Sequence, residues 1–173
     1  KALSVLSLSE CELYLDPCAK LGAGLVGYEG FEDEGIKYLL RAAAAGHPRA
    51  NVVVGNFLIA GTILGKDPAA GIEHLKRSVD LGASEGMYYL ANEYYDGVNI
   101  EKDVEVALEL YIRASELGHI YAPYNAGVIH WELHQDCAVT EKYFAMGAPF
   151  MDDAKKALEE IRTLEPCASE LSK

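Results

Sequence analysis

Apolar residues recur along this chain at helical spacing, in paired segments joined by short polar, glycine-bearing connections. The clearest unit is residues 82–118, GASEGMYYLANEYYDGVNIEKDVEVALELYIRASELG. Residues 46–82 lie over it at a shift of 36 positions without a gap. Val54-Gly55 falls on Leu90-Ala91, Gly61 on Gly97, Lys66-Asp67 on Lys102-Asp103, Gly71 on Ala107 and Ser78 on Ala114. A fixed period of this length marks helix pairs that bury their apolar faces only by stacking on their neighbours. The pattern predicts an all-α fold, a right-handed α-solenoid (superhelix) of antiparallel helix pairs.

The same frame divides the whole chain, read as one solenoid domain over 1–173. Residues 2–13, with Leu3, Val5, Leu6, Leu8 and Leu13, read as the remnant second helix of a leading repeat. Repeat 1 covers 14–46, with a helix restarting at Asp16-Pro17 and a partner over 35–45. Repeat 2 covers 47–82, with helices at 48–60 and 68–81, the second opened by Asp67 as N-cap and Pro68 at the first helical position. Repeat 3 covers 83–118, with helices at 84–96 and 104–117 and Asp103 as the matching cap. Glycine weakens a helix by about 1 kcal/mol relative to alanine, so Gly55, Gly71 and Gly127 need a reason, and close approach of paired helices supplies it.

Residues 119–147 form a degenerate repeat 4. With Gly147 taken as its closing glycine, Asp136 and Tyr143 fall where other copies carry small residues. A polar amphipathic helix at 150–165 then caps the end, with Asp152, Lys155, Lys156, Glu159 and Arg162 outward. Pro166 stops it, and the last seven residues are expected to fray.

Composition narrows the function classes. The chain has 27 Asp and Glu against 15 Lys and Arg, a formal charge of −12. That balance argues against nucleic acid as the partner and fits a basic protein partner. No stretch approaches the roughly 18 uninterrupted apolar residues of a membrane span. Cys11, Cys18, Cys137 and Cys167 form no C-x-x-C pair and do not recur at the repeat period. The spacing of Cys11 and Cys18 permits one bridge, but free thiols are the expectation, in a cytoplasmic or organelle-matrix protein.

Gly86, Leu90-Ala91, Tyr94, Gly97, Lys102-Asp103, Ala107-Leu108, Tyr111, Ala114 and Leu117-Gly118 together resemble the Sel1-like repeat, a relative of the tetratricopeptide repeat with a longer inter-helix loop. The resemblance covers about residues 14–147 and is strongest in the two central copies. It implies a non-catalytic adaptor, scaffold or accessory subunit of a multi-subunit assembly, holding a protein or peptide partner. Some bacterial relatives are secreted, with one disulfide per repeat, a pattern absent here. By analogy with the tetratricopeptide layout, the first helix of each pair lines the concave face. The groove positions become Arg49, Val52, Asn56 and Ile59, then Glu85, Tyr88, Asn92 and Tyr95, then Tyr121, Tyr124, Val128 and Trp131. Arg49, Asn56, Tyr88, Asn92, Tyr95, Tyr121, Tyr124 and Trp131 are the partner-binding candidates, since amides can bond a peptide backbone and aromatics are enriched at interface hot spots.

Catalytic signatures are sparse, and no cofactor is expected. There is no G-x-S-x-G or G-x-x-x-x-G-K-[ST]. Gly22-x-Gly24-x-x-Gly27 has dinucleotide-motif lettering but lies inside a helical repeat without a preceding strand. His130 and His134 share a helix face, with Asp136 and Cys137 nearby. They make the alternative reading a small hydrolase or metal-dependent enzyme using His130, His134 and Cys137. His47 and His119 follow helix-ending glycines, where they would complement the helix dipole.

Overall fold

The computed structural model describes residues 10, 11, 13–164 and 167–170. Most of the leading helix expected at 2–13 lies outside the described residues. Among those described the structure is all helical and is an all-α solenoid built from helix pairs. The chain divides into two compact units, Lys1–Leu90 and Ala91–Lys173.

In the first unit α1 (Leu15–Val26) packs on α2 (Glu32–Ala44), and α3 (Pro48–Ala60) packs on α4 (Pro68–Asp80) and on α2. Small residues set the separations. A Cβ added to Gly22 would lie 2.8 Å from the Leu39 nitrogen, and one added to Gly55 would lie 2.9 Å from the Gly71 oxygen. Side chains of ordinary size cannot enter such contacts, so the helix-weakening glycines are explained by packing. The start of α5 (Ser84–Asp96) repeats the device, Gly86 resting against Ser78.

Capping fixes where the helices begin. Asp67 accepts a hydrogen bond from Ala70 N at 3.1 Å and opens α4. His47 behaves otherwise than the sequence suggested. Its Nδ1 accepts from Ala50 N at 3.1 Å, so it caps the start of α3 rather than complementing the end of α2. With Nδ1 accepting, the proton sits on Nε2, which is 2.8 Å from Asp16 Oδ1. That bond, followed by the charge of Lys20, holds the Asp16 carboxyl below its ordinary value. Asn51, 1% exposed, donates to Ala43 O and His47 O and is met on its oxygen by His74 Nδ1 at 2.9 Å. The buried amide is thus fully engaged, as burial of a polar group demands.

In the second unit α6 (Val104–Glu116) is opened by Asp103, bonded to Val106 N at 3.0 Å, and packs on α7 (Ala122–His134). α8 (Cys137–Gly147) packs on α7 and on α9 (Asp152–Thr163). Here the expected register of repeat 4 is corrected. Asp136 accepts from Val139 N at 2.9 Å and is the N-cap of α8, the counterpart of Asp67 and Asp103. Counting from that cap, fully buried Thr140 takes the place of Gly71 and Ala107, Phe144 that of Leu75 and Tyr111, and Gly147 that of Ser78 and Ala114. The Phe144 ring lies where a Cβ on Gly127 would fall, at 2.6 Å, as Leu75 lies against Gly55. Gly147 is therefore a packing residue and not the closing glycine. The loop between the pair has shrunk to Gln135 and Asp136, and Gln135 takes the left-handed conformation (φ 51°) that Gly61 and Gly97 supply elsewhere.

The cysteines also depart from expectation. None of the four is free: Cys11 is bonded to Cys18 and Cys137 to Cys167, with Cα separations of 5.4 and 5.3 Å. Recurrence at the repeat period does not reveal these bridges, because each lies within one unit and has no copy. The second bridge ties a short helix, α10 (Cys167–Glu170), to the start of α8, so residues 167–170 are not the frayed end expected. Replacing Cys137 and Cys167 together by Ser should lower stability by about 2–4 kcal/mol. Urea unfolding under oxidising conditions checks this, with the wild-type chain plus reductant as the comparison.

Candidate partner-binding surface

The first helices of the pairs carry the candidate residues, and the two units present them differently. In the first unit α1 and α3 flank a pocket of about 420 Å³ lined by Asp16, Lys20, Leu39, His47, Arg49 and Val53, among others. Arg49 reaches into it from the start of α3 and also pairs with Glu85 at 3.3 Å. The Arg49 side chain is largely exposed and that of Glu85 partly so, and such a solvent-screened pair contributes little to stability. Asn56 is half-buried, as is Tyr88, whose ring meets Tyr89 edge-on with centroids 5.5 Å apart. Val52, taken above as groove-facing, is buried in the unit's core.

The second unit gathers more of the set. The C-terminal half of α5, α6 and α7 enclose a cavity of about 330 Å³ whose lining includes Asn92, Tyr95, Asp96, Tyr111, Tyr124 and Asn125. Tyr111 donates from its hydroxyl to Asn92 Oδ1 at 2.5 Å. That commits the amide oxygen, and what Asn92 has to offer a ligand is its Nδ2 donor. Tyr95 donates to Glu132. Its phenol is held above the ordinary value, first by burial and then by the charges of Glu132 and Asp96. A second cavity of about 570 Å³ lies between α7 and α9 over α8, with Trp131, Phe144, Ile161 and Leu164 among its walls. Tyr124 and Val128 line both cavities, so the two adjoin along α7 and are together its trough. Tyr121 stays outside it: the residue sits at the N-cap of α7, exposed, with its ring edge-on to His119.

Four contributors escaped the sequence reading. Asn125 lies one residue beyond the offset applied to each repeat, on the same side of α7. Asp96 and Glu132 looked like ordinary solvated charges. The α9 wall was read only as a cap, yet α9 follows a second helix in the chain just as α3 and α5 do. Extending the repeat by one more copy would have put it beside α7.

The His130, His134 and Cys137 cluster does not assemble as the alternative reading required. The imidazoles are close, with centroids 4.7 Å apart, but Cys137 is buried and bonded to Cys167 and offers no thiolate. Among the described residues no group of three or more His, Cys, Asp or Glu is arranged to hold a metal ion. Nor, among them, is any helix long and apolar enough to cross a membrane.

Comparison with known proteins follows from this geometry. The sequence pattern of the Sel1 repeat matches residues 21–47, 48–82 and 84–119, together over half of the chain. No curated protein matches the chain. Among solved structures, a protective antigen present in uropathogenic Escherichia coli strains and displaying an SLR fold superimposes with a TM-score of 0.79 at 18% identity. The match covers 88% of this chain and 34% of that one, so this chain spans about a third of that protein's length. A Sel1 repeat protein from Oxalobacter formigenes superimposes with a TM-score of 0.78 at 21% identity, covering 93% of this chain and 72% of that one. At these identities the likeness is one of fold.

One titration behaviour follows. His130 is held below its ordinary value of 6.5, first by burial and then by the charge of His134, with Asp136 opposing. The unfolded chain therefore takes up this proton more readily than the folded one, and stability is lost as pH falls below about 6.5. Half-buried His74, also held below its ordinary value first by burial and then by the charge of Arg77, acts in the same direction. The melting temperature should decline between pH 7 and pH 5, and His130→Gln should shrink that decline. Melting curves of both chains across that range check it.

Proposed function

The chain belongs to the Sel1 repeat family, and on that premise we propose that it is a non-enzymatic scaffold or adaptor, or an accessory subunit of a larger assembly. The partner is a protein or peptide held on the surface formed by the first helices of the pairs. One observation supports the reading: in the second unit Asn92 and Tyr95 line one of two adjoining cavities along α7, Trp131 lines the other, and Tyr124 lines both. Amides with an uncommitted donor, set beside amphipathic aromatics, suit a polypeptide, which offers carbonyls at every residue and side chains between them. Arg49, Asn56 and Tyr88 extend the same reading to the first unit. Tyr121 has the weaker claim, because it stands apart from the trough.

The two cystines support a working place in an oxidising compartment, instead of the cytoplasm or organelle matrix expected from the sequence. The same bond at Cys137 leaves the hydrolase alternative without its third residue.

Affinity capture of the chain from its native source, with mass spectrometry of what stays bound, tests the proposal. A stoichiometric partner that is lost on Tyr124→Ala, with the melting curve otherwise preserved, is the expected result. A partner retained equally by Tyr124→Ala and Trp131→Ala would move the binding surface elsewhere. Repeated capture of the chain alone would contradict the scaffold reading.

A further inference from the structure

We propose that the trough along α7 receives a partner segment that carries Lys or Arg among apolar residues, the cation lying between aromatic faces and carboxylates. This rests on the scaffold reading and gives it a chemistry. The charged residues of the lining are all acidic. Asp96 borders the trough on the α5 side, Glu132 on α7 and Glu160 on α9. No Lys or Arg is among the described residues lining either half. Of the cations on α9, Arg162 pairs with Glu141, while Lys155 and Lys156 are exposed and lie outside the lining.

The same lining carries aromatic rings. Trp131 is half-buried, Phe144 is buried, and the Tyr124 ring lies 5.9 Å from that of Phe144. A cation over an aromatic face gains from the ring quadrupole, and an adjacent carboxylate adds attraction of the same sense. The chain already shows this preference at the trough's edge, where its own Lys102 Nζ sits 5.1 Å above the Tyr95 ring. The apolar stems of Lys and Arg would cover the floor while their heads reach the rim.

Charge decides among occupants. A second copy of this chain carries a formal charge of −12, and nucleic acids and anionic lipid surfaces are likewise negative. Each would be repelled by the rim, whereas a basic polypeptide segment is attracted both at a distance and on contact. The first unit differs, because its pocket brings Lys20 and Arg49 alongside Asp16. The selectivity is thus assigned to the second unit.

The chain contains one tryptophan, Trp131, and it lies in this trough, so its emission reports on occupancy there. The experiment pans a phage library of random short peptides against the intact oxidised chain. The enriched peptides are then titrated while Trp131 emission is followed. The expected outcome is peptides with Lys or Arg flanked by apolar residues, which shift the emission and weaken as salt is raised. Exchanging their Lys or Arg for Glu, or making Glu132→Gln with Glu160→Gln in the chain, should cost roughly tenfold or more in affinity. A melting curve of the doubly substituted chain controls for folding. Neutral or acidic consensus peptides, or affinities indifferent to the Glu→Gln changes, would overturn the proposal. Peptides that bind without moving Trp131 emission would overturn it while sparing the scaffold reading, which stands or falls on the native capture.

Discussion

Helix backbones touching at small residues are the constraint on which the rest of this structure depends. A Cβ on Gly35 would lie 2.6 Å from the Val26 nitrogen, and one on Gly71 would lie 2.6 Å from the Ile59 side chain. Packing this close leaves no slack for sliding, so each pair has one register, and the side chains beside the contact are fixed with it. Leu75 fills the space beside Gly55, and Phe144 fills the space beside Gly127. A first helix held in one rotation keeps one set of its side chains turned away from its partner. That is how a run of unrelated-looking residues, Asn92, Tyr95, Tyr124, Trp131, comes to line one trough.

Polar groups serve the same end by different means. Asp67, Asp103 and Asp136 each accept from the backbone amide three residues on, and so mark where α4, α6 and α8 start. His47 does the same for α3 while its other nitrogen meets Asp16 on α1. Asn51 bonds to carbonyls of α2 and of the α3 start and to His74 on α4. These bonds add modest stability each, about 1 kcal/mol. They matter more for direction, since a buried amide left unpaired in any other arrangement would cost more than the bond gains.

Much of this could be read from the sequence because periodicity and capping act locally. Asp67-Pro68 announces a helix start with no knowledge of what lies across from it, and the shift that superimposes residues 46–82 on 82–118 is visible in the letters. What could not be read depends on contacts distant in sequence. Gly147 looked like a closing glycine, and only the bond from Val139 N to Asp136 shows that the register had moved. Cys137 and Cys167 are far apart in the chain and meet only because α9 folds back on α8. Tyr121 had the right offset but fell at a helix cap, where its ring points elsewhere. The acids of the trough carried no signal, since a Glu on a helix face looks the same beside a tryptophan as in open solvent.

The central claim is that the first helices, and α7 above all, form the surface that holds a partner. Hydrogen exchange of the chain with and without its captured partner tests this most directly. The account predicts slowed exchange within the C-terminal part of α5, α7 and α9, with α2 and α4 little changed. Protection confined to α2 and α4, with α7 exchanging as it does in the free chain, would contradict it.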